Sequence, residues 1–295
     1  MNTTHRLDAL HGENPLGFLA ALGALVLLSR EQREPLPRLA WEAEPPHVAL
    51  LTAAPATRES LAETLHAALT APDAPTPRRA VGERKLKELT LDQYREQAAA
   101  LDDLTATLLA GICSDATAEA APERGPLVMT SGPQDFPKSI ADVRAELAGD
   151  GAEATANALF GPWRYVAGHP LGFDPSMEKR HAYLAAKPER DAERVPVALL
   201  LAVTALAALP LFPTLGRRGF ANALFKDRRW ERMTWPLWSP PLSLPVVSSL
   251  IHTFVPEMPG HATPAGLVAA YAAERGGVET AGGVYYILRP GRRLW

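Results

Sequence analysis

The chain has 295 residues, more than one typical domain of about 150 residues requires, so one large domain and two smaller ones are both open. Its 30 Lys+Arg against 33 Asp+Glu give a net charge of −3, and 21% charged with 47% hydrophobic residues is a globular composition. This excludes a disordered tail protein and a histone-like polycation. A single cysteine, Cys113, excludes a disulfide framework and a cysteine-rich zinc site, and it suits a reducing compartment, with the cytoplasm as the expectation.

The first apolar run, residues 15–28, follows Asp8 and Glu13 without a basic leader or a small-residue cleavage site, so it reads as a buried helix and not as a signal peptide. Asn14 is its expected N-cap and Pro15 its first helical residue. Gly17 and Gly23 predict close approach by another backbone, because glycine inside a helix costs about 1 kcal/mol relative to alanine. Residues 38–42 and 47–51 read as a β-hairpin joined by Ala43-Glu-Pro-Pro. Leu61, Leu65 and Leu69, spaced i, i+4, i+8, mark an amphipathic helix over 58–69. A charged, proline-bearing stretch over 72–87 precedes one long helix over 91–112 with a polar face. A loop over 122–133 surrounds a short strand, Leu127-Val-Met-Thr, and helices follow over 139–148 and 152–160, the second stopping before Gly161-Pro162.

The second apolar run, 195–213, has Thr204 as its one polar residue, and Pro196, Pro210 and Pro213 confine its helix to 197–209. Such a helix spans about 20 Å at 1.5 Å per residue, too short for a bilayer core of about 30 Å, so no membrane partner is expected. Residues 245–255 and 264–275 read as helices, and 282–295 as a strand and turn. The predicted class is α+β, predominantly helical, with short β-hairpins and buried Ala/Leu-rich helices. Two lobes are expected, an N-terminal helical lobe with a β-hairpin over 1–125 and a C-terminal basic and aromatic α+β lobe over 126–295, packed closely enough to form one continuous domain.

No Walker A loop, GxGxxG, GxSxG, HExxH, EF-hand loop or paired CxxC occurs, and each absence removes a chemistry whose geometry needs that spacing. His169 and His181 flank Asp174 and Glu178, the nearest approach to a His/carboxylate metal site, but Pro170 and Pro175 break any helix or strand that would align them. Pro72-Asp73 followed by Glu83-Arg84-Lys85 formally matches the PD-(D/E)xK pattern, in which two carboxylates hold Mg²⁺ and the lysine orients the attacking water. Those carboxylates belong on adjacent strands, whereas Asp73 lies in an Ala/Pro segment, so a magnesium-dependent nuclease competes here with a solvated loop. Cys113 follows an apolar helix with no neighbouring base to activate it. No catalytic residue, cofactor or metal site is assigned.

Charge is segregated: residues 161–233 hold twelve Lys/Arg against seven Asp/Glu, a net of +5, which leaves −8 for the remainder. The densest stretch carries Arg217, Arg218, Lys226, Arg228, Arg229 and Arg232, interleaved with Phe220, Phe225 and Trp230. Arginine forks match phosphate oxygens and aromatic rings stack on exposed bases, so the mixture fits nucleic acid; the competing reading is a salt-bridged surface over a Trp-rich core. A second patch holds Trp163, Arg164 and Tyr165, alternating as on a strand, and then Lys179, Arg180 and His181, consecutive donors for a phosphate, with Asp174 capping the turn before them.

Five segments taken together resemble a known family. They are Gly12-Glu-Asn-Pro-Leu-Gly-Phe-Leu-Ala-Ala-Leu-Gly-Ala-Leu, Thr130-Ser-Gly-Pro-Gln-Asp-Phe-Pro-Lys-Ser-Ile, Leu159-Phe-Gly-Pro-Trp-Arg-Tyr, Phe173-Asp-Pro-Ser-Met-Glu-Lys-Arg-His-Ala-Tyr and Ala208-Leu-Pro-Leu-Phe-Pro. In this order the chain resembles CRISPR-associated proteins of type I-G (formerly I-U) loci, the large-subunit-like family and its shorter relatives. The resemblance implies a non-enzymatic subunit or accessory of an RNA-guided DNA-surveillance complex in antiviral defence. Its implied partners are the other effector subunits, guide RNA, target DNA and the helicase-nuclease of such loci. Arg164, Lys179, Arg180, His181, Arg217, Arg218, Lys226, Arg228 and Arg229 are then the candidate nucleic-acid-binding residues, while Trp163, Tyr165 and Trp230 stack on bases or hold the surface rigid. A purely structural subunit that packs onto another protein is the third reading.

Overall fold

In the computed structural model of the chain every residue from Pro15 to Leu28 is buried, so the opening helix is enclosed on all sides by the other elements. The structure describes residues 2–32, 34–116, 121–129, 135–176, 193–213, 220–226, 231–256, 265–280 and 283–295, excepting the side chains of 213, 220, 221, 278–280 and 283–285. Strand β1 (Thr3–His11) leads into α1 (Pro15–Glu31). The Asn14 side chain accepts from Leu16 N at 2.8 Å and from Gly17 N at 3.4 Å, the expected N-cap. The predicted hairpin is β2 (Arg38–Trp41) and β3 (Val48–Ala53), and β1, for which the sequence predicts no element, pairs antiparallel with β3. A register shift between Leu7 and His11 interrupts the two-residue alternation by which a strand is recognised.

Helix α2 (Arg58–Thr70) starts in a capping box between Thr57 and Ser60 and buries Leu61, Leu65 and Leu69. The short helix α3 (Pro77–Val81) follows, and the single helix expected over 91–112 is two, α4 (Leu91–Ala100) and α5 (Asp103–Ile112). Asp102 breaks it, because its carboxylate accepts from Thr105 N at 3.1 Å and from the Thr105 hydroxyl at 2.8 Å and so starts a new N-terminus. β4 (Cys113–Ser114) pairs with β5 (Glu123–Arg124). Leu127, Val128 and Met129 are buried in the core without forming the predicted strand, and Thr130 lies outside the described residues.

Helices α6 (Phe136–Asp150) and α7 (Ala152–Phe160) meet at Gly151, whose φ is +72°. A small ladder of β6 (Val166–Ala167) and β7 (Glu193–Arg194) precedes α8 (Pro196–Thr204), which tightens into a 3₁₀ turn over Ala205–Ala208. β8 (Leu211–Pro213) pairs with β9 (Phe220–Asn222). The remainder is β10 (Arg232–Trp238), β11 (Leu242–Ser243), α9 (Leu244–Thr253), β12 (Leu267–Thr280), β13 (Gly283–Leu288) and β14 (Arg292–Arg293). β11 returns to β2, which gives the first sheet the order β1-β3-β2-β11; in the second, β12 pairs with β10, β13 and β14, all antiparallel.

Helix at 44% and strand at 23% make the class α+β, and with a strand of 14 residues the sheets go beyond short hairpins. That strand, β12, corrects the helix expected over 264–275. Alanine favours helix locally, but Ala269, Ala270, Ala272 and Ala273 are the small partners that leave room for the bulky residues of β10, and Trp235 stacks on Tyr271 with ring centroids 5.9 Å apart. Tertiary pairing overrides propensity here.

An aromatic cluster joins the two sheets to α1. Phe18 lies 5.8 Å from both Trp41 and Trp235 and 6.5 Å from Trp238. The indole N–H of Trp235 donates to Gly12 O and that of Trp238 to Leu39 O, each at 2.7 Å. Among the described residues no helix is long and apolar enough to cross a membrane.

The glycines of α1 stand where backbones meet, as expected. A Cβ on Gly17 would lie 2.5 Å from His11 O, and one on Gly23 only 1.8 Å from Leu201 O of α8. Gly111 of α5 approaches the next turn of the same segment, 2.0 Å from Leu206 O by the same measure. Gly23→Ala is therefore expected to destabilise the fold by about 2 kcal/mol, the usual range of overpacking, despite its gain in helix propensity. Gly149→Ala, on an open helix face with nothing within 4 Å, is expected to stabilise by up to about 1 kcal/mol. Urea melts of the two variants check both signs, and a neutral Gly23→Ala would contradict the close crossing.

Candidate nucleic-acid interface

Segment 161–176 leaves α7 and is held by its own polar groups. The Trp163 indole N–H donates to Ala158 O at 3.1 Å, and the half-buried ring packs on the core, so part of this aromatic is structural. Arg164 is exposed, with no hydrogen bond or ion pair among the described residues. The Tyr165 hydroxyl donates to Asp174 Oδ2 at 2.7 Å and lies 3.0 Å from Ser176 Oγ. Asp174, only 3% exposed, also accepts from Ser176 N and Ser176 Oγ at 2.9 Å each, which is the turn cap expected of it. Trp163, Arg164 and Tyr165 thus belong to an irregular segment, not to the strand their alternation predicts.

This segment docks on the second sheet. Gly172, at φ +77°, lies where a Cβ would be 2.2 Å from Tyr286 O, and its own carbonyl accepts from Leu288 N at 2.8 Å. Leu288 is the cross-strand partner of Arg275, and Arg275 N donates to Glu231 O at 2.7 Å. Glu231, Arg275, Leu288 and Gly172 therefore follow one another across the sheet, and three strand spacings of about 4.8 Å separate the outer two by about 14 Å. One of these ends leads through Ser176 toward Lys179, Arg180 and His181, and the other directly follows Arg228, Arg229 and Trp230. Those six residues, with Arg217, Arg218 and Glu178, lie outside the described residues.

Lys226 has a different role. Its ammonium donates to Ile251 O at 3.3 Å and His252 O at 2.9 Å, closing the C-terminus of α9, and burial pushes its pKa down. Conversely, cations that are not among the candidate nucleic-acid-binding residues gather on the second sheet. Arg232 pairs in register with Glu274, whose carboxylate lies 3.9 Å from Arg289 Nε and whose carbonyl accepts from Arg289 N at 2.8 Å. Arg292 and Arg293 are exposed on β14 beside them. The signal for them is the closing run Arg289-Pro-Gly-Arg-Arg, hard to separate from the chain's general preference for arginine.

The other chemistries find little geometry. Asp73 is paired with Arg30, which holds its carboxyl below the usual range, and Glu83 takes Arg78 Nε at 3.0 Å. Each carboxylate has its own arginine, and Asp73, Glu83 and the half-buried Lys85 all lie off the strands. Among the described residues no three His, Cys, Asp or Glu gather as a metal site. His169 Nδ1 accepts from Leu171 N at 3.1 Å, and Asp174 is engaged by Tyr165 and Ser176. Arg164 also lines a cavity of about 360 Å³ with Asp150, Glu153 and Asn157, an acidic lining unsuited to phosphate.

Cys113 is 1% exposed, and burial, with the charge of Asp115 adding, pushes its thiol up to about 12. The neutral thiol predominates at pH 8 and is buried, so iodoacetamide at that pH is expected to leave the folded protein unmodified and to label it only once denatured. Rapid labelling of the folded chain would contradict this burial. Comparison of the chain with protein-family models, with characterised proteins and with solved structures finds no match.

Proposed function

We propose that this chain is a non-enzymatic subunit or accessory of a type I CRISPR RNA-guided DNA-surveillance complex, holding nucleic acid through phosphate contacts from a basic surface. The observation that carries the reading is the row Glu231, Arg275, Leu288 and Gly172, which draws the flanks of the two basic stretches to one end of one sheet. Arg232, Arg289, Arg292 and Arg293 add cations on the same sheet. The ordered resemblance to type I-G proteins supplies the biological setting. Phosphate contacts of this kind position a duplex or strand without reading its sequence. The implied partners are the other effector subunits, guide RNA, target DNA and the helicase-nuclease of such loci; the cytoplasm is the proposed compartment.

Binding of labelled double-stranded DNA, single-stranded DNA and RNA across a salt series tests the reading. Each phosphate contact to duplex DNA contributes about 0.9 to the log–log salt slope, so replacing Arg217, Arg218, Arg228 and Arg229 together by Ala is expected to flatten it by about 3 to 4 and to weaken all sequences alike. An unchanged slope with intact folding would overturn the reading, and so would Mg²⁺-dependent cutting in the same tubes. Lys226→Met is expected to leave the slope unchanged and to lower stability by about 0.5 kcal/mol, the value of a cation at a helix C-terminus. Thermal melts beside the binding series separate these two roles.

A further inference from the structure

Arg275 occupies the middle of the row that joins the two basic stretches, yet nothing in the sequence marks it: it closes an alanine-rich run that resembles a helix end. On β12 its side chain shares a face with Tyr286, two residues from its cross-strand partner Leu288. The guanidinium lies over that ring, with Cζ 3.9 Å from the centroid. It is half-buried, and its Nε is shut off from solvent without a hydrogen-bond partner.

No carboxylate answers this charge among the described residues. Glu274, the adjacent residue, faces the opposite side of the strand and is engaged with Arg289, while Glu231 offers Arg275 only its main-chain oxygen. A partly dehydrated guanidinium without an anion beside it is an incompletely compensated charge, and a ring face replaces only part of what water supplied. Burial accordingly pushes its pKa down. An arginine held against an aromatic ring has less freedom left to lose when a planar or tetrahedral oxyanion binds its fork.

We propose that Arg275, held by Tyr286, is a phosphate-recognition residue that takes a backbone phosphate of the bound nucleic acid on the face of the second sheet, within the row that runs from Glu231 to Gly172. This rests on the proposed function, and it adds a position and a chemistry which that reading does not contain. Arg292, exposed on β14 and one of the cations of the same sheet, serves as the comparison, an arginine with no ring against it among the described residues, whose loss is expected to cost less affinity than that of Arg275.

The test combines two measurements on the full chain. The ¹⁵Nε resonance of Arg275 is followed while inorganic phosphate, and separately a 5′-phosphorylated single-stranded oligonucleotide, is added, with chloride as the control; this needs no substitution. In parallel the salt series is repeated with Arg275→Ala, Arg275→Lys, Tyr286→Leu, Tyr286→Phe and Arg292→Ala, each with its melting temperature. The expected result is a saturable shift of Nε with the oligonucleotide, tighter than with free phosphate. Arg275→Ala should weaken nucleic-acid binding about tenfold and lower the salt slope by about one. Arg275→Lys should keep the slope but lose most of that affinity, Tyr286→Leu should lose several-fold, and Tyr286→Phe should bind normally. If nucleic acid binds while Arg275→Ala leaves affinity and slope unchanged and Nε does not move, the inference fails and the proposed function stands. If free phosphate moves Nε but neither DNA nor RNA binds, the phosphate site stands and the nucleic-acid source is overturned.

Discussion

The crossing of α1 over α8 at Gly23 is the contact on which the other elements depend. Both helices are apolar around their whole circumference, with Pro15 to Leu28 and Val197 to Thr204 buried throughout. A helix of this kind has no face to turn to water, so it must be surrounded. Gly23 brings the α1 backbone onto Leu201 O, and Gly111 brings α5 onto Leu206 O one turn and a half further along the same segment. Three backbones thus meet with no side chain between them, and the two sheets and the remaining helices close the outside. The Phe18 cluster ties the sheets to this centre, since Trp41 comes from the first sheet and Trp235 and Trp238 from the second.

Enclosing apolar helices leaves the ends of the outer helices to be satisfied by side chains, and arginine and lysine do much of that work. Arg144 of α6 donates to Leu69 O at 2.9 Å and Thr70 O at 2.8 Å, closing α2, as Lys226 closes α9. Arg79 donates to Asp73 O and to the Thr105 hydroxyl, both at 2.8 Å, and joins the start of α5 to the end of α2. These cations are committed to carbonyls and caps. A count of Lys and Arg therefore overstates what a ligand can use. Position within the fold separates the two kinds: Lys226 sits in the densest basic stretch and is structural, whereas Arg292 lies in a short tail strand and is exposed.

Much of the helical architecture could be read from local signals, because those signals are local in origin. Asn14 and Pro15 start α1, Leu61, Leu65 and Leu69 give α2 its buried stripe, and Pro196 and Pro210 bracket α8. Local signals mislead where a distant partner decides. Leu267–Thr280 is rich in alanine and becomes a strand because it pairs with β10, which sets Met233, Pro236 and Leu237 against its alanines and Trp235 against Tyr271. Asp102 divides a helical pattern by hydrogen-bonding Thr105, a competition that hydrophobic spacing does not record. The candidate site was half visible. Its basic and aromatic stretches stand out in the sequence, but the row that links their flanks depends on four residues from separate parts of the chain. Arg275 could not be singled out at all, since neither Tyr286 nor the absence of a carboxylate is apparent before the strands are paired.

The spacing of that row bears on how a nucleic acid would lie against it. Its outer residues are about 14 Å apart, close to four base steps at the 3.4 Å rise of one strand. At physiological ionic strength the screening length is about 8 Å, so cations near one end are largely screened from a phosphate at the other. Two groups of cations that far apart act as two weak sites unless something charged lies between them. Arg275 stands one strand spacing inside Glu231, and its guanidinium is half-buried, where screening by salt is weaker. On the proposed reading a phosphate lying along the row meets Arg275 between its ends, and a half-buried guanidinium with no carboxylate beside it among the described residues has more to gain from that phosphate than an exposed arginine such as Arg292.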